Sequence, residues 1–195
     1  IHSLLGIDTK KKEIYYTSYE ESSIERHVYA IKYDGSKKRK ISKRQGSNNA
    51  YFSQSFEYYI LSHSDANTPA SYTLFNRKGE LIRELETNED LKKTTAEYGF
   101  SKVEFMKVPT ASGQLLNAYM IKPKNFDPDK KYPLFMFVYG GPESQNVIDS
   151  WNRRAPWFQM LAQEGYIFAC VDNRGTNGRG EDFRKSTYME LGKLE

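Results

Sequence analysis

The side chains able to do chemistry gather in two glycine-rich stretches of the second half of the chain. The first is Tyr139-Gly140-Gly141-Pro142, directly after the apolar run Leu134 to Val138. The second is Asp172-Asn173-Arg174-Gly175-Thr176-Asn177-Gly178-Arg179-Gly180, directly after the apolar run Tyr166 to Val171. Tyr139 offers a phenol, a hydrogen-bond donor at neutral pH. Such a donor, fixed where negative charge develops, favours a transition state over its ground state. On pattern alone the plainer reading is a tight turn that carries a tyrosine, since two glycines let the backbone bend sharply. Arg174 invites a role as a clamp for a substrate carboxylate. The preferred alternative is that Asp172 and Arg174 brace their loop. Neither stretch is a phosphate cradle, because Gly-Lys-Ser/Thr and G-x-G-x-x-G are both absent.

Other chemistries are excluded by count and spacing. Cys170 is the single cysteine, so neither an intrachain disulfide nor a cysteine-based zinc site can form. It lies in an apolar run and reads as a small buried hydrophobe. His2, His27 and His63 show no His-x-x-x-His or His-Glu-x-x-His spacing, so no metal site is expected and they read as surface or strand residues. The formal charge is +4. Its lysine clusters (Lys10 to Lys12, Lys37-Lys38, Lys92-Lys93) fall at predicted turns or linkers and read as solvated loops, not as a nucleic-acid surface. No stretch is long and apolar enough to span a bilayer. The N-terminus lacks a basic, signal-like region and an initiator Met, so the chain reads as an excised segment. Leu194-Glu195 reads either as native or as a tag remnant.

The elements that must position the two loops follow from periodicity. Leu134 to Val138 suits a strand buried on both faces, with Pro133 at its first residue, where a missing N–H costs least. Trp151 to Glu164 carries Trp157, Met160 and Leu161 at helical spacing, and Gly165 suits the position just past a helix. Trp151 and Trp157 read as core. Tyr166 to Val171 is a second buried strand. Strand, loop, helix, strand is a βαβ unit with a parallel sheet. Ligands of such sheets bind beyond the carboxyl ends of the strands, where Tyr139 lies. Further strands are predicted at Lys102 to Val108 and Leu115 to Ile121, with a polar loop over Lys124 to Lys131.

The first half repeats. Glu13-Ile14-Tyr15-Tyr16 matches Glu57-Tyr58-Tyr59-Ile60, with 57 − 13 = 44, and Val28-Tyr29-Ala30-Ile31 matches Tyr72-Thr73-Leu74-Phe75 at the same shift. Asp34-Gly35 and Lys78-Gly79 are hairpin turns. With lead-in strands near Leu4 to Ile7 and Ala50 to Ser53, each unit has about four strands, the signature of a β-propeller blade. The open alternative is two hairpin pairs of one sheet. Two blades cannot close a propeller. Asn88 to Glu97 is polar, with a short helix possible at Asp90 to Lys93. It sets the boundary between residues 1–90, the C-terminal part of a propeller, and residues 91–195, an α/β domain.

Tyr132-Pro133-Leu134, Val138-Tyr139-Gly140-Gly141-Pro142, Ser144-Gln145 and Asp172-Asn173-Arg174-Gly175 with Gly178 and Gly180 stand behind these blade-like repeats. Together they resemble the prolyl oligopeptidase family, and within it the dipeptidyl peptidase IV branch. The resemblance implies a mixed fold: antiparallel β-propeller blades, then the N-terminal part of an α/β-hydrolase sheet. It implies a serine exopeptidase that releases N-terminal Xaa-Pro or Xaa-Ala dipeptides from peptide substrates by acyl transfer, with no cofactor. A homodimeric whole protein, outside the cytoplasm, is also implied. By resemblance the Tyr139 hydroxyl helps stabilise the oxyanion. The family's Ser–Asp–His triad sets its serine in a Gly-x-Ser-x-Gly turn. No such sequence occurs here. That turn is expected beyond Glu195, the substrate-holding glutamates are expected in an earlier blade, and the 195 residues alone are expected to be inactive. Two alternatives stay open. One is a related oligopeptidase or acylaminoacyl-peptidase. The other is a non-catalytic propeller-hydrolase binding protein.

Overall fold

A computed structural model describes residues 1–195. The first half forms two four-stranded antiparallel sheets, each in sequential order. Strands β1 (Ser3–Asp8), β2 (Glu13–Ser18), β3 (His27–Lys32) and β4 (Arg39–Lys40) make one; β5 (Ser47–Phe52), β6 (Tyr58–Asp65), β7 (Thr68–Asn76) and β8 (Leu81–Glu86) make the other. These are the two propeller blades. The repeat extends further than the sequence indicates: β5 begins at Ser47, before the lead-in predicted at Ala50, and 47 − 3 = 44 is the same offset. Gly35 and Gly79, one repeat apart, share φ of +81°, each the left-handed residue that completes a three-residue hairpin loop, and their N–H groups donate to the Lys32 and Asn76 carbonyls at 2.9 Å.

Aromatic packing holds these sheets together. Val28, Ala50 and Tyr59 form a buried cluster against Leu5, Ile41, Phe52, Leu61 and Phe75. Tyr15 crosses from one sheet to the other and meets Phe52, with ring centroids 4.3 Å apart. Arg77 on the second sheet reaches Asp8 on the first at 2.9 Å. His27 and His63 are buried strand residues, while His2 precedes β1 and is exposed. His27 bonds Glu25 at 2.9 Å and Ser42 at 3.2 Å, while His63 faces the Gln45 carbonyl at 2.7 Å. These partners are hydrogen-bonding groups of the fold, and no group of metal-ligating side chains forms.

The chain divides into two compact units, residues 1–93 with 149–151 and residues 94–148 with 152–195. The division falls within α1 (Glu89–Glu97), a helix longer than the sequence indicates, with no buried residue and with Lys92-Lys93 inside it. The short return of residues 149–151 is fixed by three bonds. Asp149 N–H donates to the Ile24 carbonyl (2.8 Å), the Asp149 carboxylate accepts from Ala66 N–H (2.7 Å), and Trp151 N–H donates to Ser64 Oγ (3.3 Å).

In the second unit β9 (Val103–Pro109), β10 (Leu115–Ile121), β11 (Leu134–Phe137) and β12 (Ile167–Asp172) form a mixed sheet in the order β11-β12-β10-β9. β11 and β12 run parallel and are joined through α2 (Ala155–Gln163). The helix is shorter than the predicted Trp151 to Glu164. Trp151 is engaged elsewhere, and Pro156 suits only the first turn, where its missing N–H is no loss. At the other end Gly165 takes φ of +87°. Its N–H donates to Ala162 and that of Tyr166 to Leu161, the two bonds of a Schellman cap. Phe158 of α2 stacks on Phe168 of β12 at 4.1 Å, and both are fully buried.

Two expectations about this core are not met within residues 1–195. Within residues 1–195 β11 pairs with β12 alone. Phe135 and Phe137 meet α2 on one face, while Leu134 and Met136 on the other are 56% and 52% exposed. An apolar run alone cannot distinguish one covered face from two. Trp157 is likewise not buried within residues 1–195. It caps Phe135 edge-on from the outer side of α2 and stays 44% exposed.

Candidate active site

Because β11 and β12 are parallel neighbours, with Phe137 opposite Cys170, their carboxyl ends lie at the same edge of the sheet. The chain leaving β11 carries Tyr139, and the chain leaving β12 carries the Asp172–Gly180 loop. Six hydrogen bonds join the two loops. The Asp172 carboxylate accepts from the N–H groups of Asn146 and Val147, both at 2.9 Å. Asn173 Nδ2 donates to the Gly140 carbonyl at 3.1 Å. Glu143 N–H donates to the Gly175 carbonyl at 3.0 Å, and Asn177 N–H to the Ser144 carbonyl at 2.9 Å. Asn177 Nδ2 adds a bond to the Glu143 carbonyl at 2.5 Å. The Arg184–Glu143 ion pair, 2.8 Å, spans the same gap from α3 (Glu181–Lys185).

Within the first loop the turn is tight. Gly140 takes φ of +76° and Glu143 φ of +61°. Ser144 closes the turn on the Gly141 carbonyl with both its N–H (3.2 Å) and its hydroxyl (2.6 Å). The Tyr139 ring lies over Gly141 so closely that a Cβ there would stand 2.7 Å from Cε1. Gly141 therefore matters through this ring contact rather than through backbone conformation. The turn is held from below while the ring, 70% exposed, faces outward. A phenol presented beyond the end of a parallel strand can donate to a ligand without first giving up a protein partner.

Charge at this edge is arranged for support. Burial pushes the Asp172 carboxyl above its ordinary range, opposed by the two N–H groups it accepts from. Burial likewise pushes the Cys170 thiol up to about 12, leaving it an inert core group. Arg174 is turned to the protein, donating from Nε to the Leu194 carbonyl at 2.5 Å and from an Nη to Ser112 Oγ at 3.3 Å. These contacts match the bracing reading of Asp172 and Arg174. The residue that sequence reasoning left without a role is Asn173. It is buried, it holds the carbonyl next to Tyr139, and its own Oδ1 has no partner. The available signal was an amide side chain set immediately after a strand, facing a glycine turn at the end of a parallel neighbour.

The chain is similar throughout its length to known peptidases. The profile described as "Dipeptidyl peptidase IV (DPP IV) N-terminal region" matches residues 1–70, and that of the "Prolyl oligopeptidase family" matches residues 152–195. Dipeptidyl peptidase 4 of Trichophyton equinum is 36% identical over 99% of the chain. Probable dipeptidyl peptidase 4 of Aspergillus flavus is 31% identical over 100% of it. The crystal structure of Porphyromonas gingivalis dipeptidyl peptidase 4 superposes on the whole chain with a TM-score of 0.93 at 42% identity. The chain spans about a quarter of these relatives: 26% of each fungal protein and 27% of the bacterial one.

Proposed function

We propose that this chain, which belongs to the prolyl oligopeptidase family as a segment homologous to dipeptidyl peptidase 4, comes from a protein that releases N-terminal dipeptides from peptide substrates. In that protein Tyr139 supplies one donor of the oxyanion hole. The chemistry is acyl transfer through a serine ester. Attack on the scissile carbonyl turns its oxygen into an oxyanion, and a donor already in position needs no reorganisation to meet it. The serine, its histidine and the aspartate belong to other parts of the protein. The contribution of this chain is the donor and the turn that aims it. One observation carries this reading: an outward-facing phenol on a turn bonded from beneath by Asn173, Asp172 and Asn177.

The test is Tyr139→Phe in the full-length protein, assayed with a glycyl-prolyl chromogenic amide. Phe keeps the ring over Gly141 and removes only the hydroxyl. The oxyanion exists mainly in the transition state, so kcat falls while KM is nearly unchanged. Loss of one such donor costs about 2.7–4 kcal/mol, or roughly 10²–10³ in kcat. Equal thermal melting of the two proteins confirms the fold. A kcat within about threefold of wild type makes Tyr139 a turn residue and nothing more.

A further inference from the structure

The two sheets of the first unit do not close on each other completely. Between them lies a cavity of about 380 Å³, within the size range of small-molecule sites. Its wall is aromatic, built from Phe52, Phe56, Tyr59 and Phe75, with Tyr59 and Phe75 stacked at 5.4 Å. Its charge is one-sided, because six cations line it and no carboxylate does. Three of these are matched from behind. Arg39 grips Glu13 with two bonds of 2.9 and 3.0 Å, Arg77 holds Asp8 at 2.9 Å, and Lys40 pairs with Glu21. The other three, Lys43, Arg44 and Lys78, have no ion-pair partner. Tyr59 is the second anomaly. The residue is 6% exposed, yet its hydroxyl bonds no protein group. Gly79 passes beside that hydroxyl and has no side chain with which to cover it.

We propose that this cavity binds a small aryl carboxylate. A planar ring suits the aromatic wall, where offset and tilted contacts between rings are favourable. A carboxylate accepts from the Tyr59 hydroxyl and meets the three unmatched cations, a charge-assisted arrangement stronger than a neutral one. An uncharged aromatic would leave those cations unanswered. An aliphatic anion would leave the ring wall without a partner. The site lies wholly in the first unit and makes no use of Tyr139 or its loop.

The experiment is calorimetric titration of the full-length protein with 2-naphthoate and with 2-naphthylmethanol, its uncharged counterpart. Saturable 1:1 binding of the acid is expected, at least about tenfold tighter than the alcohol and weakened by added salt. Tyr59→Phe, which keeps the ring and removes the donor, is expected to weaken the acid about tenfold and leave the alcohol nearly unchanged. Lys43→Gln combined with Arg44→Gln, both exposed and unpaired, is expected to weaken it similarly without disturbing the fold. The proposal is overturned by the absence of saturable binding up to about 2 mM acid, far weaker than specific small-ligand binding. It is equally overturned by acid and alcohol binding alike, or by an acid affinity unmoved in the Lys43/Arg44 variant.

Discussion

Replacing Gly141 by alanine in the full-length protein would show whether the position of the Tyr139 ring matters to catalysis. Gly141 is not in the left-handed region, so alanine strains no backbone there. The new Cβ would instead lie 2.7 Å from Tyr139 Cε1 and 3.3 Å from Cδ1, where ordinary contact begins at 3.4 Å. The ring must retreat by at least 3.4 − 2.7 = 0.7 Å at Cε1. Because the ring pivots from its own Cα, the hydroxyl at its far end moves more, about 1 Å, a misplacement that can cost roughly 10²-fold in rate. That corresponds to about 2.7 kcal/mol of transition-state stabilisation. The ring is largely exposed, so moving it disturbs no packed core and melting should scarcely change. The decisive assay is a double-mutant cycle with Tyr139→Phe, following kcat on a prolyl dipeptide amide. If Gly141→Ala acts by displacing the hydroxyl, it costs about 10²-fold in the tyrosine protein but less than about threefold once the hydroxyl is gone. An equal cost in both backgrounds refutes the reasoning, since alanine would then be acting through something other than the Tyr139 hydroxyl.

Two further outcomes follow from the same geometry. Asp172→Ala leaves the N–H groups of Asn146 and Val147 without an acceptor; at about 1–3 kcal/mol for each unsatisfied group, it should lower stability by roughly 2–6 kcal/mol and speed hydrogen exchange at both amides. A loss under about 0.5 kcal/mol would mean that water replaces the carboxylate. Glu13 titrates at about 2 instead of 4.5, held down first by its hydrogen bonds from Arg39. Its stabilising contribution is therefore complete above pH 4.5 and lost as pH falls toward 2, so Glu13→Gln should destabilise at neutral pH and converge with wild type in strong acid. A deficit independent of pH would assign the effect to packing alone.

Local rules on the chain sufficed for much of the architecture. The offset of 44 residues, with a turn glycine at positions 35 and 79, specifies two like units of antiparallel strands, because strand alternation and turn chemistry are short-range properties. Leu134 to Val138, the helical spacing around Trp157 and the run ending at Asp172 specify strand, helix and parallel strand, and Gly165 marks where the helix stops. The motifs around Tyr139 and Arg174, with the blades before them, were enough to indicate the family.

Tertiary structure decided what depends on neighbours distant along the chain. Leu134 and Met136 are as apolar as Phe135 and Phe137, but packing decides that the phenylalanines are the pair that meets α2. Trp157 has the spacing of a core residue but packs edge-on against Phe135, because Phe158 already fills the contact with Phe168. Arg174 could have faced a ligand or the protein, and its bonds to Leu194 and Ser112 turn it to the protein. Asn173 acquires its role only when parallel pairing brings the end of β12 beside Gly140. The cavity beside Tyr59 likewise needs two repeats to face each other. Each repeat carries its aromatics and cations in plain sequence, but the space between them, and a hydroxyl with nothing to bond, exist only after the sheets have packed.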